Sequence, residues 1–198
     1  MFKKLTLLAM AIGALAAFAL PAVASANWTV EGEELTENHT LEVTGTIGFM
    51  GPAGAGSPGV SCIVTASIEL TAGTNVAHVK TFAPEVKENG TPNCTGTGVL
   101  ANCHVESVTA IGLPWTLSAA GDTLTIQGAG VTNKYKAGTC PITESVVADT
   151  GEKDSVTAKA DNQEAVSEFT MGGTLGGGVL VINGNLKVIG GDAGKYGF

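Results

Sequence analysis

Apolar and polar side chains alternate with a period of two along much of this chain. The alternation is regular over residues 40–47, 61–70 and 123–127. Because successive side chains of a β-strand point to opposite faces of a sheet, this pattern predicts strands with one buried face. The same pattern predicts further strands at residues 76–82, 103–110, 115–118, 141–148 and 156–160.

Short polar segments that contain glycine separate the predicted strands. Residues 73–75, 88–90, 121–122 and 149–151 carry the residue types that favour tight turns. Strands about ten residues apart and joined by such turns are typical of all-β domains. The sequence therefore predicts an all-β fold, in the form of an antiparallel two-sheet sandwich of the jelly-roll or immunoglobulin-like kind.

The most specific local pattern lies near the C-terminal end. Asn183 and Gly184 separate the runs 179–182 and 185–189, which are rich in apolar, β-branched residues. An Asn-Gly pair favours a type I′ turn, because both central residues of that turn need a positive φ. We therefore expect a β-hairpin that pairs the two runs, with Asn183 and Gly184 at its tip.

Two glycine-rich segments, residues 50–59 and 172–178, interrupt the alternation. The first contains G-x-G-x-x-G at residues 54–59, but a dinucleotide-binding loop needs a strand before it and a helix after it. A strand is predicted to follow instead, and Pro58 removes one backbone N–H donor. The sequence therefore predicts no nucleotide cofactor, and we expect one all-β domain over residues 27–198.

The first 26 residues have the pattern of a secretory signal peptide. Lys3 and Lys4 form a positive start, residues 5–20 form an apolar run, and Ala24 and Ala26 occupy the small-residue positions of a cleavage site. The apolar run is shorter than the roughly twenty residues that a membrane-spanning helix needs. We therefore expect residues 1–26 to be removed on export, and no transmembrane segment to remain afterwards.

The composition agrees with a folded domain and argues against a nucleic-acid partner. The chain is 44% hydrophobic and 14% charged, whereas disordered chains are rich in charge and poor in apolar residues. The formal net charge is −8, and all ten basic residues are lysines. Because an acidic protein repels a polyanion and arginine is the main reader of phosphate and guanine, we expect no nucleic-acid partner.

The cysteines Cys62, Cys94, Cys103 and Cys140 are even in number. Export would bring them into an oxidising compartment, so we expect two disulfides that staple the domain. No C-x2-C or C-x4-C pair typical of zinc ligands occurs, so we expect no metal site. The turn-like residues 95–98 favour Cys94–Cys103 with Cys62–Cys140, and the sequential pairing Cys62–Cys94 with Cys103–Cys140 is a close alternative.

Few side chains qualify for catalysis or ligand binding. His104, beside Cys103 and two residues before Glu106, is the least unfavourable catalytic group, but an oxidised cysteine has no thiolate. We therefore predict no catalytic residue and no cofactor. Trp28 and Trp115 are the only tryptophans and are candidate contacts for a carbohydrate or a protein ligand, although core or edge packing is the favoured interpretation.

Several short motifs carry a resemblance to a group of proteins. They are residues 94–103 (CTGTGVLANC), residues 113–116 (LPWT), Tyr135 and the pair Cys140 and Pro141. Over residues 62–141 the chain resembles uncharacterised secreted proteins of high-GC Gram-positive bacteria. The shared motifs are structural, so the resemblance implies no functional residues. It implies export to the surface of a cell with a single membrane.

Taken together, these patterns predict an exported, non-catalytic domain that is secreted or held in the cell envelope. Its function would be that of a structural or binding module with an extracellular ligand, for which carbohydrate and protein are both candidates. The alternative is a secreted hydrolase whose site is assembled from residues distant in sequence.

Overall fold

The computed structural model describes residues 27–51, 59–136, 138, 140–148, 155–176 and 180–198. The predicted signal peptide, residues 1–26, lies outside this part of the chain, as do most of residues 50–59 and the predicted turn at 149–151. The described residues form fifteen β-strands and contain no α-helix, which confirms the all-β prediction. The strands are β1 (Thr29–Val30), β2 (Glu33–Glu34), β3 (His39–Met50), β4 (Gly59–Leu70), β5 (Val76–Pro84), β6 (Cys94–Thr97), β7 (Val105–Ala110), β8 (Trp115–Ala120), β9 (Thr123–Gln127), β10 (Gly130–Tyr135), β11 (Glu144–Ala148), β12 (Ser155–Ala160), β13 (Glu168–Leu175), β14 (Leu180–Val188) and β15 (Tyr196–Gly197).

Eight strands close into an antiparallel barrel. Their order around the barrel is β3-β14-β13-β12-β9-β8-β5-β4, and β4 pairs back onto β3. Neighbouring strands also follow one another along the chain, apart from two insertions, so the topology is up-and-down. The prediction of a two-sheet sandwich is therefore wrong. A period of two shows that one face of each strand is buried, but a sandwich and a barrel both satisfy that condition.

The two insertions build a second sheet at one end of the barrel. Strand β7 lies between β5 and β8 in the chain, while β10 and β11 lie between β9 and β12. These three strands pair in the order β11-β10-β7. Their buried side chains, which include Val108 and Val131, join the same apolar core as the barrel interior. Strand β6 adds to the barrel sheet alongside Gly59–Cys62 of β4.

The two ends of the described chain meet at the opposite end of the barrel. Strand β1 pairs with β2 on one side and with β15 on the other. The Trp28 indole N–H donates to the carbonyl of Val76, where β5 begins, at 2.9 Å. The rings of Trp28 and Phe198 pack edge to face, with centroids 5.1 Å apart. Both aromatic side chains are buried, so this small sheet covers the barrel end.

The predicted hairpin at Asn183 and Gly184 is wrong. Both residues lie in the middle of β14, which is paired with β13 on one side and β3 on the other. Leu175 is the register partner of Leu180, so the chain reverses between those two residues instead. Gly184 does not have a positive φ. A Cβ at Gly184 would collide with the backbone carbonyl of Thr46, so the glycine permits a close approach of β14 to β3.

The described structure pairs Cys62 with Cys94 and Cys103 with Cys140. Two disulfides and no free cysteine confirm the predicted staples, but the favoured pairing was wrong and the sequential alternative is the one found. The reason is that residues 95–97 continue β6 rather than turning, and β6 places Cys94 directly opposite Cys62 with their Cα atoms 4.0 Å apart.

We predict that Gly184→Ala lowers the free energy of unfolding by about 2 kcal/mol, because the added methyl group overpacks the contact between β14 and β3. The matched control is Gly172→Ala in β13, where an added Cβ meets nothing within 4 Å and φ is not positive. This control should change stability by less than about 0.5 kcal/mol. Urea unfolding measures both values, and equal effects would contradict the role assigned to Gly184.

The disulfide pairing predicts the products of a lysine-specific digest without reduction. Lys87 and Lys134 bound a peptide that holds both Cys94 and Cys103, with no lysine between them. The observed pairing links this peptide to one containing Cys62 and to another containing Cys140. Mass spectrometry should therefore find a three-peptide product. The alternative pairing would give a different result. Peptide 88–134 would then carry an internal Cys94–Cys103 disulfide, and a separate product would join the Cys62 and Cys140 peptides. Finding these two products would contradict the observed pairing.

Candidate functional site

An open groove crosses the outer surface of the barrel over four adjacent strands, β13, β14, β3 and β4. Its volume is about 870 Å³. We call it the outer groove. Its lining is Thr44, Gly45, Thr46, Gly48, Ser61, Ile63, Glu85, Glu168, Thr170, Met171, Asn183, Gly184, Asn185 and Lys187.

Glycines on the two central strands bring their backbones close together beneath the outer groove. Gly45 and Gly48 lie on β3, and Gly184 lies on β14. A Cβ at Gly45 would collide with the backbone carbonyl of Asn185, and a Cβ at Gly48 would lie 2.6 Å from the amide Oδ1 of Asn183. The two strands therefore approach closely. Of these glycines only Gly48, the register partner of the exposed Asn183, has an outward position and leaves the surface there without a side chain. Gly45 and Gly184 are partners of the buried Leu186 and Ile47 and face the barrel interior.

Uncharged hydrogen-bonding side chains form the middle of the outer groove. Thr170, Asn185 and Thr46 are successive register partners across β13, β14 and β3. All three are exposed, as is Asn183. Within the part of the chain that the structure describes, these four side chains form no hydrogen bond with another residue. Their amide and hydroxyl groups are therefore available to a ligand.

Charged groups lie at the edges of the outer groove. Glu168 and Lys187 are register partners at the start of β13 and the end of β14. Glu85 follows β5. The single hydroxyl proton of Thr44 is shared between two acceptors, the Val64 carbonyl at 3.0 Å and Oε1 of Glu85 at 3.3 Å. Two carboxylates and one ammonium group thus border an uncharged centre.

The backbone beneath the outer groove is already hydrogen-bonded. Strand β14 pairs with β13 and β3, and β3 pairs with β14 and β4. A peptide that binds by strand addition needs an unpaired strand edge. These central strands have none along their paired residues, so a ligand would be recognised through side chains.

Neither tryptophan provides the exposed aromatic surface that was a candidate in the sequence. Trp28 is 1% exposed and Trp115 is 6% exposed. The Trp115 indole N–H donates to the carbonyl of Ile111 at 2.7 Å, and its ring packs against Phe82. The candidate role of Trp28 and Trp115 as surface ligand contacts is therefore wrong. Trp28 packs at the end of the barrel, and Trp115 packs inside it.

The histidines do not form a nucleophile–base pair in the described part of the chain. Cys103 is disulfide-bonded, which removes the thiol beside His104. His39 stacks on Tyr196 with ring centroids 4.4 Å apart, and its Nε2 lies 3.5 Å from a carboxylate oxygen of Asp192. Across the described residues, no histidine side chain hydrogen-bonds a serine or a cysteine, and no group of three metal-binding side chains occurs.

The residues of the outer groove were not singled out from the sequence. The sequence pattern predicts a turn at Asn183, and it gives Thr46 and Asn185 no feature that distinguishes them from other polar strand positions. The signal that could have identified them is the run Asn183, Asn185 and Lys187 at alternate positions, which places polar side chains on one face of a single strand.

The segment before β13 positions Glu168 at the edge of the outer groove. The Asp161 carboxylate accepts the backbone N–H groups of Ser167 at 2.9 Å and Glu168 at 3.0 Å. Partial burial acts to raise the pKa of the Asp161 carboxyl, but these backbone hydrogen bonds outweigh it and hold the pKa below its ordinary value.

Three comparisons with known proteins bear on identity, and none gives a relative. No protein-family model, curated protein or solved structure matches this chain. None of the helical segments in the described residues is long and apolar enough to cross a membrane.

The lowered pKa of Asp161 predicts an acid-dependent loss of stability. Because the folded-state pKa lies below the unfolded value of about 3.9, the stabilisation is present above that value and lost as the pH falls through the folded-state pKa. Asp161→Asn should therefore show a smaller loss of stability between pH 5 and pH 2.5 than the unmodified protein, in urea unfolding.

The control is Glu164→Gln, which removes an exposed carboxylate of the same segment that accepts no backbone hydrogen bond among the described residues. It should keep the acid-dependent loss of the unmodified protein. Identical pH profiles for Asp161→Asn and the unmodified protein would refute the assignment of the Asp161 carboxylate as the acceptor.

Proposed function

We propose that this chain is an exported, non-catalytic binding module that holds a neutral, hydroxyl-rich ligand in its outer groove. The observation that carries the proposal is the set of exposed amide and hydroxyl groups on Thr46, Thr170, Asn183 and Asn185, which converge on one recess. Amides and hydroxyls both donate and accept hydrogen bonds, as do the hydroxyls of a sugar. The ligand class is therefore carbohydrate.

Carbohydrate is favoured over protein for two reasons. The backbone of β14 and β3 is fully engaged in the barrel, which excludes strand addition at the centre of the outer groove. Ile63 is the larger apolar side chain on the outward face of the groove, because Met171 packs against the barrel core. The groove has no aromatic residue, whereas protein interfaces are enriched in aromatic anchors. Ile63 is 36% exposed and offers an apolar surface to one face of a sugar ring.

A neutral ligand is favoured over an anionic one. Glu85 and Glu168 border the outer groove, and Lys187 is its one cationic residue. The formal charge of the whole chain is −8. A phosphorylated or uronic-acid ligand would therefore meet net repulsion at the edges of the groove.

Export is part of the same proposal and is supported by two features. Residues 1–26 have the order of charged, apolar and small residues that signal peptides have. The two disulfides are compatible with an oxidising extracellular compartment. A bacterial cell surface or secreted fraction is the proposed location, in line with the resemblance to secreted proteins of high-GC Gram-positive bacteria.

An array of neutral oligosaccharides and bacterial wall glycans, probed with protein that begins at Asn27, tests the proposal. We predict that Asn185→Ala and Thr46→Val each weaken binding of the best array ligand by about tenfold, the effect of losing one or two hydrogen bonds. Gln127→Ala and Thr125→Val are the matched controls, since both residues lie on β9, outside the groove strands.

Binding that survives both groove variants in folded protein, or no binding to any array member, would refute the glycan proposal. If the protein bound only to protein targets, a protein ligand would be favoured over a carbohydrate. The hydrolase alternative is tested on the same ligands by measuring newly formed reducing ends, because a binding module leaves the glycan intact.

A further inference from the structure

The interior of the barrel contains a void of about 50 Å³. It differs from the outer groove in that its lining is apolar. Its lining comes from strands all around the barrel and is apolar throughout. Large side chains such as Phe169 and Leu124 lie beside small residues, among them Ala66, Ala158 and Gly130. The void exists where these small residues leave space that the large ones do not fill.

Water is a poor occupant for this void. A space of about 50 Å³ exceeds the roughly 10–15 Å³ that one water needs, but a buried water also needs two to four polar partners. The one side-chain N–H in the lining, that of Trp115, already donates to the Ile111 carbonyl at 2.7 Å. A void of this kind remains dry, and its wall lacks dispersion partners on one side.

We propose that the barrel interior is a second binding site, which takes one uncharged, apolar molecule of a few heavy atoms with no hydrogen-bonding group. Eight-stranded barrels have an interior wide enough either to be filled by side chains or to hold one small ligand. The size limit follows from comparison with an engineered apolar cavity of about 150 Å³ that accepts benzene. At about a third of that volume, this void is expected to admit a xenon atom or a hydrocarbon of a few carbons, but not an aromatic ring.

Xenon is the probe, because it is apolar, close to spherical and sensitive to its surroundings in ¹²⁹Xe NMR. The folded protein should give a saturable change in xenon shift. Ala158→Leu should abolish it, since Ala158 is buried on β12 and faces the void. Ala66→Val, on β4, is a smaller filling change that keeps the test valid where the leucine does not fold. Thr125→Val, on β9 with an outward side chain, should leave xenon binding unchanged.

The reverse variant tests the size limit. Leu124 is 1% exposed and lines the void, so Leu124→Ala should enlarge it. Benzene should then raise the melting temperature of Leu124→Ala and leave that of the unmodified protein unchanged. Absence of saturable xenon binding in the unmodified protein would overturn the proposal. So would xenon binding that persists in a folded Ala158→Leu or Ala66→Val, or a folded Leu124→Ala that binds neither probe. None of these outcomes depends on the glycan array, so this site and the outer groove stand or fall separately.

Discussion

Closure of the barrel through β3 is the constraint on which the rest of the structure depends. Strand β3 pairs with β4 over twelve register partners and with β14 over eight. The first pairing is local in sequence, while the second joins residues 43–50 to residues 181–188. Without the second pairing, β3 and β14 would both be open edges, and the apolar side chains of the interior would face water. The glycines at positions 45 and 184 allow the two backbones to approach closely enough for this contact.

The same contact shapes both sites. The outer groove lies over the close approach of β14 to β3, where Gly48 leaves an outward position without a side chain. On the inner side, closure encloses the void among Ala66, Ala158 and their larger neighbours. The outer site is polar because outward positions of these strands carry threonine and asparagine. The inner one is apolar because the alternation of each strand directs valine, leucine and phenylalanine inward.

The amino-acid sequence predicts the fold correctly where the relevant signal is local. The period-two alternation located β4, β9 and β12, because it reflects the burial of one face of a strand. It failed where partners are distant in the chain. Nothing in residues 39–50 shows that their second partner is β14 rather than a strand of another sheet, and so a sandwich was expected. Asn183 and Gly184 have the composition of a turn, but tertiary packing against Thr46 places the glycine in a strand.

Disulfide pairing was missed for a related reason. Residues 95–98 contain two glycines and resemble a turn, yet β6 pairs with β4 and places Cys94 beside Cys62. Candidate ligand contacts were sought among the rare aromatic residues, and the structure buries Trp28 and Trp115. Common side chains such as threonine and asparagine become a candidate site only once four strands bring them together, and that arrangement is a property of strand order rather than of any short motif.

The pairing of β3 with β14 also determines when the protein can finish folding. Val43 is synthesised long before its partner Val188. Until then the long β3–β4 hairpin must persist with one unpaired edge, and such non-local pairing is intrinsically slow. Closure of the barrel therefore cannot occur until β14 has been synthesised.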